Sequence, residues 1–325
     1  LARHGFEGLR HLAGLRREIH AFDDEAPRAA ARGAGRGRNV STVAVIPVIG
    51  MLTHRVEAIG SVSQTRSTAA IVSEVREALA EPNVDAVVLQ VDSPGGSVSN
   101  VQEAWAAIHE GAKAKPIVAS VNSLAASAAY HLASAATEIW MTPSGMVGSV
   151  GVYALHVDAS KALEEMGEAW EFIVAKGSPF KVEGNPAGPL TGEARKKIQA
   201  DIDAFMDVFV RDLARGRGTT KDAVRQGYGQ GRTLLAGPAK AAGMVDQIGT
   251  LEDAIRRASQ LAGERRTGMG PQGARVAFVE PSPAPETEPP APEVPLASDE
   301  PPVPAVEPEE PAETQDARRR LWESA

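Results

Sequence analysis

Short apolar runs alternate with amphipathic segments between residues 41 and 262, and this pattern restricts the fold more than any other feature of the sequence. The runs that read as strands are 43–49, 86–91, 116–121, 138–141 and 171–174. The segments that read as helices are 67–80, 100–112, 127–136, 191–215, 220–226, 236–242 and 250–262. Strands that are apolar on both faces and alternate with helices are typical of a parallel sheet covered by helices. The sequence therefore predicts an α/β fold.

Two segments of different composition flank this body. Residues 1–40 combine a short amphipathic pattern over 1–22 with a basic linker. Residues 263–325 form an acidic, proline-rich tail that is predicted to be disordered because it has too few apolar residues to form a core. The chain has 34 Lys and Arg against 42 Asp and Glu, a net charge of −8, and residues 281–311 alone carry eight acidic and no basic residues. The charges of the remainder sum to zero.

Composition excludes several functions. Outside the acidic run the charges sum to zero, which leaves no surplus of positive charge for a phosphate backbone, so nucleic acid is not an expected partner. The chain contains no cysteine, which excludes disulfides, thiolate zinc sites, iron–sulfur clusters and cysteine nucleophiles. No apolar run reaches the length of roughly 18–20 residues that spans a bilayer, so we expect no membrane anchor.

A glycine pair, Gly95-Gly96, directly follows the predicted strand 86–91. Glycines let the main chain approach a ligand closely with its N–H groups outward. The pair is either an ordinary strand-to-helix turn or an oxyanion hole, in which such donors stabilise a tetrahedral intermediate.

Ser127 begins an alanine-rich helical segment. Small neighbours would let a substrate backbone reach its hydroxyl, and a helix N-terminus favours negative charge there. Ser127 is therefore either a nucleophile or the N-cap of a tightly packed helix.

A serine nucleophile needs a base, and two residues are candidates. His156 follows the glycine-rich segment 145–152, whereas His109 and His131 are expected to be structural. The alternative is Lys181, for which Phe172, Val174 and Phe180 could provide burial. Burial matters because a lysine acts as a base only when its pKa falls well below about 10.4.

Five segments together resemble the SppA-like (signal peptide peptidase A) serine peptidases, a family that includes phage head-maturation proteases. The segments are DSPGG (92–96), LAASAAY (124–130), GSVGV (148–152), GSPFK (177–181) and GRTLLAGPAKAAGMVDQIGTLEDAI (231–255). The resemblance covers roughly residues 42–262 and implies a crotonase/ClpP-like fold. It implies Ser127 as nucleophile, Lys181 as general base, Gly95 and Gly96 at the oxyanion hole, and a supporting role for Ser149.

From this resemblance we expect a serine endopeptidase with a Ser–Lys dyad and no cofactor or metal, most simply a phage prohead maturation protease in the host cytoplasm. Its substrates would be proteins or peptides, with scaffold, portal and capsid proteins as partners. It would assemble as a ring-shaped homo-oligomer with active sites near subunit contacts. The alternatives are a signal peptide peptidase, a ClpP-like Ser–His peptidase, and a scaffold module without catalysis.

Overall fold

A computed structural model describes residues 41–55, 65–267 and 274–278 of the chain. The amphipathic helix predicted for residues 1–22, the basic linker and the acidic run 281–311 lie outside these residues. Within the described residues, no helix is both long and apolar enough to cross a membrane.

The centre of the fold is a parallel sheet with strand order β10-β1-β4-β5-β6-β9. The strands are β1 (Ser41–Ile49), β2 (Met51–Thr53), β3 (Thr65–Ser67), β4 (Ala86–Ser93), β5 (Ile117–Ala126), β6 (Glu138–Met141), β7 (Met146–Gly148), β8 (Thr233–Leu235), β9 (Gln247–Ile248) and β10 (Ala274–Phe278). β7 pairs in parallel with the end of β5 and antiparallel with β8, while β2 and β3 form a separate small sheet. The predicted parallel α/β architecture is confirmed.

Helices cover both faces of the sheet. They are α1 (Thr68–Ala80), α2 (Val101–Ala114), α3 (Ala128–Ala133), α4 (Ser160–Glu165), α5 (Gly192–Gly216), α6 (Lys221–Gly227), α7 (Ala236–Ala241) and α8 (Leu251–Thr267). Because side chains alternate along a strand, Ile46 of β1 joins the larger core with α1, α2, α3 and α5. Its neighbour Val45 packs on the other face with Ala258 of α8.

The structure differs from the sequence prediction in two places. The strand predicted at 171–174 is wrong: these residues have no regular structure, and Ile173 is 93% exposed. The ordered body also continues past residue 262, the boundary drawn from sequence, because α8 reaches Thr267 and β10 pairs with β1.

The carboxyl end of β5 differs from its beginning. Residues Val118–Val121 pair with β6, and the last residues, Leu124–Ala126, pair with β7. Between these two stretches, the pairing of β5 with β4 shifts its register. The strand thereby leaves β6 and delivers Ser127 beside the end of β4. Neighbouring parallel strands end at one edge of a sheet, and this edge carries the candidate site.

Candidate active site

Ser127 occupies a sharp turn between β5 and α3. Its backbone has φ +52° and ψ −124°, and a non-glycine residue rarely adopts a positive φ. Its N–H donates to Gly148 O at 2.8 Å, and its carbonyl accepts from His131 N at 2.9 Å. Its side chain makes no N-cap hydrogen bond, so the N-cap interpretation does not account for the hydroxyl. The backbone holds Ser127 fixed while the hydroxyl remains available.

The glycine pair lies against Ser127 and Leu52. A Cβ on Gly95, which has φ +90°, would lie 2.7 Å from Ser127 Cβ. A Cβ on Gly96 would lie 1.9 Å from Leu52 O. Both positions therefore require glycine, since no side chain fits between these backbones.

The two glycines differ in what their N–H groups do. Gly95 N–H donates to Ser93 Oγ at 3.1 Å, so the prediction that it is an oxyanion donor does not fit this structure. Among the described residues, Gly96 N–H has no hydrogen-bond acceptor. The hydroxyl of Ser93, two residues before Gly95, thus stabilises the turn by binding the Gly95 N–H. The Gly96 N–H remains available as a donor.

Sequence reasoning missed a second donor, Ala128 N–H. Ala128 is the first residue of α3, and the first N–H groups of a helix have no partner within it. No acceptor for it is found elsewhere in the described part of the chain. The sequence contained the information needed to find this donor. The N–H of the first residue of a helix has no partner within the helix, and Ala128 follows the serine at the start of the predicted helix.

Ser127 borders two cavities. The first, called here the apolar cavity, has a volume of about 150 Å³. It lies between the start of α2, α3 and α5, and its lining includes Val98, Val101, Ala128, His131, Phe205 and Phe209. The second, called here the cleft, is lined by Met51, Pro94, Gly95, Gly96, Ser127, Ser149, Gly151, Val152, Tyr153 and Gly231. Ser149 therefore shares the cleft with Ser127, and it too has a φ of +52°.

Lys181 lies outside both cavities. It sits in a series of turns and is exposed. The predicted burial of Lys181 within its own chain is wrong, because Phe172 and Phe180 are themselves 43% and 58% exposed. These side chains do not fold back over the lysine, since the strand expected to carry Phe172 does not form.

The histidines of the body have structural surroundings. His131 is buried, stacks on Phe209 with ring centroids 4.5 Å apart, and places Nε2 3.1 Å from Asp212 Oδ2. His109 stacks on Trp105 at 4.6 Å. His156 lines neither cavity and points Nδ1 at Gly184 O. Nothing in this arrangement brings an imidazole to the Ser127 hydroxyl.

Within the described residues, no group of three or more His, Asp or Glu side chains is placed to bind a metal ion. The chemistry that the arrangement can support is that of a serine beside two free backbone donors.

Comparison with known proteins gives the family. The sequence matches the profile of peptidase family S49 over residues 109–265, a range that includes Ser127 and Lys181. This stretch of the chain is similar to peptidase family S49, a family of serine peptidases. The match confirms the resemblance drawn from the sequence.

Three of the curated proteins that are similar to this chain come from two phages and one bacterium. The head-tail preconnector protein of Enterobacteria phage P21 is 32% identical over 254 residues, covering 78% of this chain and 50% of the relative. Capsid assembly protease C of Escherichia phage lambda is 31% identical over 252 residues, covering 75% and 56%. Protease 4 of Salmonella typhi is 31% identical over 223 residues, covering 68% and 35%. The chain thus spans about half the length, or less, of these relatives.

Solved structures similar to this chain include proteases of low sequence identity. The membrane-bound stomatin-specific protease 1510-N has a TM-score of 0.46 and 15% identity, covering 76% of this chain and 94% of that one. ClpP1 from Listeria monocytogenes has a TM-score of 0.38 and 15% identity, covering 65% and 93%.

Proposed function

We propose that this protein is a serine endopeptidase in which Ser127 is the nucleophile. The observation that carries the proposal is the position of Ser127, on a turn with positive φ and next to the N–H groups of Gly96 and Ala128, for which the described residues offer no acceptor. A carbonyl attacked by the Ser127 hydroxyl would develop negative charge beside these two donors. Each such donor lowers the barrier by about 3–4 kcal/mol in serine peptidases. An acyl-enzyme would form and be released by water.

Lys181 is our candidate for the general base, supplied by a neighbouring subunit. Within one chain it is exposed and borders neither the apolar cavity nor the cleft. A lysine must be desolvated to be neutral at physiological pH, and contact with a second copy would provide that desolvation. The neutral amine would take the proton of Ser127 and return it to the leaving amine.

The surroundings of Lys181 support such a contact. Eight large apolar side chains between residues 153 and 180, called here the 153–180 patch, are exposed: Tyr153, Leu155, Val157, Met166, Trp170, Phe172, Ile173 and Phe180. Exposed apolar side chains at this density mark an interaction surface. A cyclic homo-oligomer in which this patch packs near the cleft of the next subunit would bring Lys181 to Ser127.

Mixing two inactive variants tests the shared dyad. Ser127→Ala and Lys181→Ala should each abolish cleavage of casein. Co-refolded in equal amounts, they should recover about a quarter of wild-type activity, since random mixing in a ring pairs the intact residues at about one interface in four. If the mixture stays inactive while wild type cleaves, the dyad lies within one chain. If wild type neither cleaves casein nor reacts with a fluorophosphonate at Ser127, the proposed function is wrong.

For the biological substrate we propose proteins of capsid assembly, in the cytoplasm of a phage-infected or prophage-carrying host. Two phage relatives, one of them named a capsid assembly protease, align with three quarters or more of this chain. Co-expression with the capsid, portal and scaffold proteins encoded beside its gene should give truncated products that disappear in Ser127→Ala.

The second candidate is degradation of cleaved signal peptides, which the alignment with Protease 4 favours. Purified enzyme should then degrade apolar signal peptides and leave the co-expressed capsid proteins at full length.

A further inference from the structure

His156 connects two parts of the loop between the cleft and α5. Its Nδ1 lies 3.2 Å from Gly184 O, and because a carbonyl can only accept, Nδ1 is the donor. Its Nε2 is buried and has no hydrogen-bond partner among the described residues. The imidazole therefore uses one nitrogen, and that one binds the main chain near Lys181.

A second hydrogen bond parallels this contact. Ala159 N–H donates to Pro186 O at 2.7 Å. The segment 156–159 is thus fastened at two points to the segment 184–186, by one side chain and one main-chain bond. The backbone bond is available to any residue at position 159, whereas the Gly184 bond depends on His156.

The segment 184–186 directly follows the turns that carry Lys181. Lys181 N–H donates to Ser178 O at 3.1 Å, and Asn185 N–H donates to Val182 O at 3.0 Å. These bonds make 178–185 a continuous run of turns, with Lys181 in its first half and Gly184 near its exit. Fixing Gly184 therefore limits where the lysine can be presented.

The other end of the connection reaches the candidate active site. Gly151 and Val152, a few residues before His156, line both the apolar cavity and the cleft. The chain from the cleft wall to His156 is short, and His156 ties it to the lysine-bearing turns. The cleft wall of one subunit is thus tied to the turns from which the same subunit would present Lys181 to its neighbour.

We propose that His156 is a positioning residue, which sets the presentation of Lys181 through the hydrogen bond from its Nδ1 to Gly184 O. This inference rests on the proposed function, in which Lys181 is the base. His156 does not itself exchange a proton with substrate, because its Nε2 is buried and its Nδ1 is occupied.

Two amide variants separate this role from a general need for histidine. In His156→Asn the amide nitrogen lies near the position of Nδ1 and can still donate to Gly184 O. In His156→Gln the amide lies near the position of Nε2, where there is no partner. We expect Asn to keep kcat within about threefold of wild type, and Gln to lower kcat roughly 10–100-fold with KM unchanged, as for a misplaced catalytic group. His54→Gln, at an exposed position, is the matched control.

The measurements are kcat and KM on a peptide substrate, the melting temperature, and the oligomer size by sedimentation. The inference is overturned if Asn and Gln variants have equal kcat, or if the loss in the Gln variant follows a loss of melting temperature or assembly. The proposed function fails separately, if Lys181→Ala retains the kcat of wild type.

Discussion

At the scale of single residues, the cleft concentrates backbone conformations that other positions avoid. Four non-glycine residues have positive φ among those described, and two of them, Ser127 and Ser149, line the cleft. Each such residue costs about 1–3 kcal/mol and persists only where the surroundings impose it. Here Gly148 O imposes it, by accepting the Ser127 N–H. The rest of the fold offsets this cost, and the Ser127 hydroxyl makes no N-cap hydrogen bond.

The buried His131–Asp212 pair should make stability depend on pH. Burial lowers the pKa of His131, although Asp212 opposes the change. Burial alone would raise the pKa of Asp212, but hydrogen bonds from His131 and Arg211 hold it below its usual value. Since the folded state binds a proton at His131 less readily than the unfolded chain, stability is complete above about pH 6.5 and falls as pH drops towards the folded pKa.

The variant His131→Gln tests this, because an amide can still donate to Asp212 but does not titrate. Between pH 7 and pH 5, the melting temperature of wild type should fall more than that of the variant. Asp212 stays ionised over this range in both proteins. Parallel losses of melting temperature would show that His131 is not the group responsible.

At this scale the sequence indicated candidate residues but not their hydrogen bonds. Ser127 and Gly96 were selected because glycine pairs and small residues around a serine are visible in the sequence, and both line the cleft. That Gly95 N–H is occupied depends on Ser93 Oγ, which also donates to Gly50 O at 2.6 Å. To predict that one hydroxyl binds two backbone groups, one must know the backbone conformation at the end of β4. No local sequence pattern gives that conformation.

At the scale of elements, local signals predicted helices better than isolated strands. The start of α5 was found correctly: Thr191 Oγ1 accepts from Ala194 N at 3.1 Å, as an N-cap does. The strand at 171–174 failed because a short apolar run, here Phe172 to Val174, can be apolar for either of two reasons. They can enter a sheet of their own chain or remain for another chain to cover, and sequence periodicity does not distinguish these cases.

Helix α5 forms one wall of the apolar cavity, which predicts an effect on specificity. Phe205 lines the cavity and is 46% exposed. A cavity of this volume holds about a benzene ring, so we expect it to take an apolar side chain next to the scissile bond. Phe205→Ala should cost only about 1–2 kcal/mol of stability.

The same variant should shift preference towards larger side chains, by roughly tenfold in the ratio of kcat/KM for Phe and Ala peptides. The assay compares peptides that differ only in the residue before the cleaved bond. Arg195→Ala, exposed on the same helix, is the control. An unchanged ratio would mean that the cavity does not bind this side chain.

At the scale of the whole molecule, the described part of the chain has an apolar surface that no other described element covers. In the 153–180 patch, Tyr153 is 87% and Ile173 93% exposed. Sequence reasoning gave the oligomer only through the family resemblance, whereas the exposed patch is a property of this fold.

A charge in the patch should prevent assembly without unfolding the subunit. We expect Ile173→Asp to sediment as a monomer and to lose casein cleavage, with a melting curve that no longer depends on protein concentration. Gln226→Asp adds the same charge at an exposed position of α6 and should leave both properties unchanged. Full activity in a monomeric Ile173→Asp protein would refute a dyad shared between subunits.

The exposure of Lys181 also has a consequence for kinetics. In the proposed arrangement, one subunit supplies the nucleophile and the oxyanion donors and another supplies the base, so the law of mass action would govern how many sites are complete. Specific activity should then rise with enzyme concentration and level off once the ring is saturated. Newly made chains would be inactive when dilute and would become proteolytic where many copies gather. The onset of cleavage would therefore depend on the local concentration of the enzyme.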